Sequence, residues 1–208
     1  MVIIGGGPAG CATALSLYKN TVRTSCLILD DANPSSFKVF FFFSLELQFF
    51  YFYFFYHDVQ IGESLPPESG QLLQYLHSSL PAHLSSRVES EMYTPCTGNA
   101  SAWSSSVLEE RHAILNPFGQ GLHLDRANFD EVLRDTTAKC ASESKSRFHF
   151  QKASFKGIHK NDKGLWVIEI EDKGDRKSFV AKWVVDATGR KASVATKVCL
   201  IHTLGASS

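Results

Sequence analysis

The sequence predicts an α/β fold built on a parallel sheet, and three observations carry that expectation. An apolar run, Val2-Ile3-Ile4, leads straight into Gly5-x-Gly7-x-x-Gly10. A small-residue amphipathic helix pattern follows over roughly Cys11 to Lys19. A second apolar run, Cys26 to Leu29, then ends in Asp30, twenty positions after the third glycine. Strand, glycine turn, helix and acid-tipped strand in this order and spacing form a unit that cradles a dinucleotide.

Each part has a physical task. Gly5 allows the tight turn out of the strand, Gly7 lets a pyrophosphate approach the backbone, and Gly10 lets helix and strand pack closely. Pro8 and Ala9 complete the turn, and the helix N-terminus aims its N–H groups and positive dipole end at the phosphates. Asp30 is placed to accept hydrogen bonds from a ribose and to repel a 2′-phosphate.

At 208 residues the chain holds one α/β domain, or one and a part. Its net charge is formally zero, with both signs interspersed, so no basic stripe argues for nucleic acid. Five cysteines (Cys11, Cys26, Cys96, Cys140, Cys199) are odd in number, widely spaced and free of C-x-x-C pairs. They read as small apolar residues in a reducing compartment. The eight histidines show no metal-ligand spacing, and no metal site is expected. The first strand begins at the N-terminus and leaves no room for a signal peptide, so a cytoplasmic location is expected.

Residues 39–60, VFFFFSLELQFFYFYFFYHDVQ, stand apart, holding nine of the sixteen Phe and three of the six Tyr. As a membrane anchor over 39–56 the run is long enough, but Glu46 and Gln48 interrupt it. As an aromatic hairpin it exposes a large apolar patch. As a retained intron it fits the coding arithmetic. Phe and Tyr codons are thymine-rich, Val39 is encoded by GTN, and a Gln60 codon of CAG supplies the acceptor. Its removal joins Phe37-Lys38 to Ile61-Gly62-Glu63 in frame. The retained intron is the preferred reading, and the genomic sequence across these codons decides it.

Beyond it, Pro66 and Pro67 suit the entrance of a helix that carries Leu72, Leu73, Leu76 and Leu80 on one face. Met92 to Val107 reads as loop or irregular strand. The run Asn116-Pro-Phe-Gly-Gln-Gly-Leu-His-Leu-Asp-Arg gives a glycine turn and short strand, followed by a helix with Phe129, Val132 and Leu133 inward. Three strands are expected last, Phe148 to Phe155, Leu165 to Ile170 and Ser178 to Asp186, with a turn at Lys173-Gly174-Asp175. The third ends in Asp186-Ala-Thr-Gly189-Arg, and a helix-like stretch begins at Lys191.

Taken in order, VIIGGGPAG with Asp30, Phe37-Lys38, GESLPP, LDRANFDEVLR and VVDATGR resemble the flavin-dependent halogenase and monooxygenase family of the glutathione-reductase-like FAD proteins. The resemblance covers about residues 1–38 and 61–206. It implies a three-layer Rossmann-like FAD-binding domain over 1–38 and 61–208, with an antiparallel meander before the last strand. It also implies that the distal Gly-Asp motif and the substrate domain are missing, so the sequence is expected to be cut short. By the same resemblance Gly5, Gly7 and Gly10 hold the pyrophosphate and Asp30 the ribose. Gly62 and Glu63 run along the flavin, Arg126 precedes the Phe-Asp helix, and Asp186 and Gly189 belong to a second cofactor-side turn. Local alternatives stand beside these roles: Glu63 as a helix N-terminal acid, Arg126 paired with Asp130, and Asp186 as a strand-ending turn.

The family implies FAD as cofactor, reduced flavin reacting with oxygen, a small aromatic substrate and a separate flavin reductase as partner. The tryptophan-rich GWxWxIP box of the halogenases is absent, and Ser78 to Gly98 contains no Lys to match their catalytic one. Monooxygenation is therefore the expected activity, and no general acid or base is assigned. A non-catalytic remnant or a membrane-anchored flavin reductase is the alternative.

Overall fold

The computed structural model describes residues 1–20, 24–31, 63–103, 107–144 and 147–205, the last six as backbone only. Residues 39–60, together with Phe37, Lys38 and Gly62, lie outside the described residues. In chain order the elements are β1 (Val2–Ile4), α1 (Pro8–Asn20), β2 (Cys26–Asp30), β3 (Glu63–Leu65), α2 (Ser69–Leu76) and α3 (Ser79–Glu89). Next come β4 (Thr94–Cys96), β5 (Gly98–Ser101), β6 (Glu109–His112), β7 (Gly121–Leu124) and α4 (Arg126–Glu143). The chain continues through β8 (Phe148–Lys152), β9 (Ser154–Lys160), β10 (Trp166–Asp172), β11 (Asp175–Ala181), β12 (Val184–Asp186) and α5 (Ser193–Gly205).

These elements form two compact units. The first comprises Met1–Ala32, Gln71–His83 and Asp130–Ser208. Its centre is a parallel sheet of order β12-β1-β2-β8. Both faces of that sheet are covered, which is why β1 and β2 read as continuous apolar runs. The period-two alternation of the strands divides their side chains between two cores. Ile3, Cys26, Ile28 and Phe148 meet Ala14 of α1 and Ala141 of α4 on one face. Val2, Ile4 and Leu29 meet Ile158, Ile168, Ile170 and Val194 on the other. The second face is thus roofed by the antiparallel meander β11-β10-β9 and α5, giving the expected three layers.

Two strands expected to be continuous are broken, for the same reason. The run from Phe148 to Phe155 splits at Ala153, because β8 follows β2 only as far as the pair Asp30↔Lys152. The Ala153 N–H then donates to the Asp30 carbonyl at 2.9 Å, and the chain leaves for the meander. The run from Ser178 to Asp186 splits at Lys182-Trp183, since its first half pairs antiparallel with β10 and its second parallel with β1. Each half answers to a different partner, which local periodicity does not reveal. The turn at Lys173-Gly174 is as expected, with φ of 53° and 92° at its two residues.

The helix expected after Pro67 is two helices, broken at His77-Ser78. His77 Nδ1 lies 2.7 Å from Ser79 Oγ and accepts the Ser79 N–H at 3.3 Å, fixing the start of α3. Leu73 and Leu80 are buried as expected, whereas Leu72 is exposed.

The second unit comprises Asn33–Gly70 and Leu84–Phe129. Its sheet has the order β3-β7-β4, and β5 and β6 form a hairpin beside Trp103, which is fully exposed. The stretch expected as loop or irregular strand from Met92 carries the short strands β4 and β5, whose Thr, Pro, Gly and Asn residues give no apolar alternation to fix their bounds. Asp125 starts α4: its Oδ1 accepts the Ala127 N–H at 2.8 Å and its carbonyl the Phe129 N–H at 2.9 Å.

Candidate functional site

The glycine turn between β1 and α1 is built from positions with opposite requirements. Gly5 has φ of 107°, a left-handed conformation that L side chains avoid, and its N–H donates to the Leu29 carbonyl at 2.8 Å. Gly10 faces that turn: a Cβ there would overlap the Gly5 carbonyl oxygen and lie 3.3 Å from Ala187 Cβ. Helix and turn touch backbone to backbone, so the third glycine is structural. Gly7 is different, because a Cβ on it meets nothing within 4 Å. Its face is open space in front of the first turn of α1. There Ala9 and Gly10 have N–H groups without intrahelical partners by helix geometry, while the Cys11 N–H already bonds the Gly7 carbonyl at 3.0 Å. Open glycine, helix N-terminus and dipole together fit a phosphate.

Asp30 ends β2, as expected, and is buried. Its Oδ2 accepts a hydrogen bond from Arg134 Nε of α4 at 2.9 Å, an ion pair with both side chains mostly shielded. Gly6 abuts the same carboxylate, and a Cβ there would come within 2.6 Å of Asp30 Cγ. Gly6 and Arg134 are the residues that sequence reasoning missed. The signal for Gly6 was present in three consecutive glycines, whereas nothing in the sequence ties Arg134 to Asp30 across 104 positions.

Asp186 ends β12, whose register Ile4↔Asp186 sets it beside the end of β1. Its Oδ1 accepts from Thr188 Oγ1 at 2.6 Å and from the Thr188 N–H at 3.1 Å. Its Oδ2 accepts the N–H groups of Val194 at 3.1 Å and Ala195 at 2.9 Å, at the N-terminus of α5. The carboxylate thereby shapes the strand-ending turn, in which Gly189 has φ of 65° and Ala192 φ of 43°. Burial alone would raise the Asp186 pKa, but these hydrogen bonds outweigh it and hold the group below the ordinary aspartate range.

A depressed folded-state pKa gives stability that is present above the unfolded value and is lost as pH falls through the folded one. Asp186→Asn is therefore expected to lower the melting temperature at neutral pH, through a loss of about 1 kcal/mol, because the amide nitrogen cannot accept the N–H groups that the second carboxylate oxygen accepts. The gap to the unmodified chain should close below about pH 4. A gap that stays constant from neutral to acid pH would remove the cap from this account.

In the second unit, Glu63 sits on β3 opposite Leu124, and its Oε2 accepts from Arg126 Nη1 in an ion pair. Glu63 is a strand residue rather than a helix N-terminal acid, and Arg126, at the start of α4, engages Glu63. Gly62, assigned to the same loop, lies outside the described residues.

Among the described residues no group of His, Cys, Asp and Glu is arranged to hold a metal ion, and no helix is long and apolar enough to cross a membrane. The membrane-anchor reading of 39–56 falls outside the described residues. Burial pushes the thiols of Cys11 and Cys26 up to about 11, so these two behave as core residues.

No family model matches the chain. Over 194 residues it is 25% identical to LodB of Marinomonas mediterranea, described as an FAD-dependent oxidoreductase, covering 93% of this chain and 43% of that protein. Its fold is shared with p-nitrophenol 4-monooxygenase PnpA from Pseudomonas putida, at a TM-score of 0.63 and 17% identity over 95% of this chain and 42% of that one. It is shared too with the myxobacterial chondrochloren halogenase CndH, at a TM-score of 0.64 and 18% identity over 94% and 38%. Halogenase PltM, solved in complex with FAD, matches at a TM-score of 0.56 and 21% identity over 89% and 33%. The chain thus has the α/β fold of flavin-dependent monooxygenases and halogenases, and spans less than half the length of each of these relatives.

Proposed function

We propose that the chain binds FAD through the β1–α1 turn and supplies the cofactor-binding part of a flavin-dependent oxidoreductase, a monooxygenase resembling the halogenases. The observation that carries this reading is the open face of Gly7 beside two glycines that are sterically obligatory. The gap lies in front of a helix N-terminus, whose free N–H groups and dipole favour a phosphate.

In this reading the Ala9 and Gly10 N–H groups hold the pyrophosphate, and Asp30, its carboxylate fixed by Arg134 and Gly6, takes the adenosine ribose. Asp186 keeps the β12–α5 turn shaped beside β1, and the Glu63–Arg126 pair fixes the start of β3 against α4. The flavin, when bound, supplies the redox chemistry with oxygen, and the protein contributes binding, orientation and exclusion of water. A small aromatic substrate is the ligand this reading carries, supported by the name of the related p-nitrophenol 4-monooxygenase, and a separate flavin reductase would supply the reduced flavin.

Asp30→Ala tests the placement. Loss of a charge-assisted hydrogen bond is expected to weaken FAD by about 1.5–3 kcal/mol. FMN, which has no adenosine ribose, should bind the variant and the unmodified chain equally. Titrations followed by flavin fluorescence read both, and a thermal melt of the flavin-free proteins separates any destabilisation from the half-buried Arg134 left unpaired. An unchanged FAD affinity, or an equal loss for FMN, contradicts the ribose role.

A further inference from the structure

Asp30 does not close β2 alone, because Arg134 reaches it from α4 and donates through Nε to Oδ2 at 2.9 Å. The pair is shielded rather than sealed, with 10% of the Asp30 side chain and 21% of the Arg134 side chain exposed. Its position is fixed from both sides. Gly6 abuts the carboxylate. On α4, Leu133 next to Arg134 and Thr137 one turn later are buried, so the helix cannot turn the arginine away without opening the core.

A guanidinium carries five N–H donors, one on Nε and four on the two Nη groups. Nε is the one spent on Asp30. Among the described residues the Nη groups have no hydrogen-bond partner, and no unpartnered side-chain nitrogen or oxygen is buried. Four donors are therefore open to a ligand, held in a rigid fork beside the carboxylate. A hydroxyl that donates to an ionised acid still has lone pairs on its oxygen, and a carboxylate, which only accepts, does not fill them.

We infer that Arg134 is a second, direct ligand of the adenosine ribose, donating through its Nη groups to the oxygen of the hydroxyl that donates to Asp30. The inference rests on the dinucleotide reading of the β1–α1 turn. The two residues meet opposite capacities of one hydroxyl, the acid as acceptor and the arginine as donor. An arginine that ties α4 to β2, or that holds the carboxylate and does no more, acts on the nucleotide through Asp30 alone. A direct ligand keeps its effect when the Asp30 charge is gone.

The test is a double-mutant cycle on the full chain. FAD and FMN are titrated into the unmodified protein, Asp30→Asn, Arg134→Gln and the double variant, with flavin fluorescence as the readout. Arg134→Gln is expected to weaken FAD about tenfold, the worth of one hydrogen bond to a charged group, and to leave FMN unchanged. In the Asp30→Asn background the same substitution is still expected to weaken FAD at least about threefold. A loss that vanishes in that background makes Arg134 a support for Asp30 and overturns the inference. Unchanged FAD affinity in Arg134→Gln, or an equal loss for FMN, overturns it too. Arg134→Lys keeps a cation on Asp30 without the fork and serves if Arg134→Gln does not fold. It too should bind FAD at least about threefold more weakly, and unaltered affinity there counts against the inference. If the unmodified chain binds no FAD, the dinucleotide reading falls and this inference with it. If it binds FAD and the Arg134 variants bind as well, this inference falls alone.

Discussion

Gly10→Ala is expected to destabilise the first unit by about 3 kcal/mol, the upper range of overpacking penalties, and Gly10→Val by more. The obstacle is backbone. The added Cβ overlaps the Gly5 carbonyl oxygen and lies 3.0 Å from the Gly5 carbonyl carbon, and Ala187 closes the other side at 3.3 Å. Neither turn is able to yield cheaply. The Gly5 N–H is bonded to the Leu29 carbonyl at 2.8 Å, and the Ala187 N–H to the Ile4 carbonyl at 2.8 Å. Moving Gly5 therefore disturbs β1 and β2 together, while moving Ala187 disturbs β12. A stability of 5–15 kcal/mol is typical of a domain, so a loss of about 3 kcal/mol is a large share of the total. Chemical denaturation of Gly10→Ala beside the unmodified chain measures it, and coincident transitions would show that helix and turn do not touch as described.

The parts legible in the sequence are those decided locally. The β1–α1–β2 unit was readable because two apolar runs, the packing glycines Gly5 and Gly10 and a terminal acid each state a local requirement that the structure realises. The α4 helix and the Lys173-Gly174 turn were readable on the same terms. The breaks at Ala153 and at Lys182-Trp183 were not, because they occur where a partner strand ends or changes, and neither site carries glycine or proline. The helix break at His77 depends on a side-chain cap that an apolar spacing count ignores.

At the site, the glycines and Asp30 were visible, whereas the settings of the acids were not. Asp30 is held by an arginine 104 positions away. Asp186, which motif matching assigned to the cofactor side, spends both oxygens on its own turn and on α5. Glu63 and Arg126 were singled out separately and form one ion pair. Their pairing is set by the β3–β7 register, which places Glu63 opposite Leu124, two residues before Arg126.

Gly7→Val tests the central claim. The backbone at Gly7 does not adopt the left-handed conformation, and a Cβ there meets nothing within 4 Å, so valine fits the flavin-free chain. Its branched side chain then fills the space in front of the α1 N-terminus that the pyrophosphate would occupy. Stability without flavin should fall by no more than about 1 kcal/mol, the scale of the N-cap preference for glycine over valine. FAD affinity should fall by at least about a hundredfold, or about 2.7 kcal/mol. Gly10→Ala and Gly7→Val thus separate the two uses of glycine in one turn, since the first costs mainly stability and the second mainly the ligand. The deciding measurement is a titration of the unmodified chain and Gly7→Val with FAD, followed by flavin fluorescence. Saturable binding by the former and none by the latter, with both proteins folded by thermal melt, is the expected result. Equal FAD binding by both proteins would contradict a dinucleotide at the β1–α1 turn.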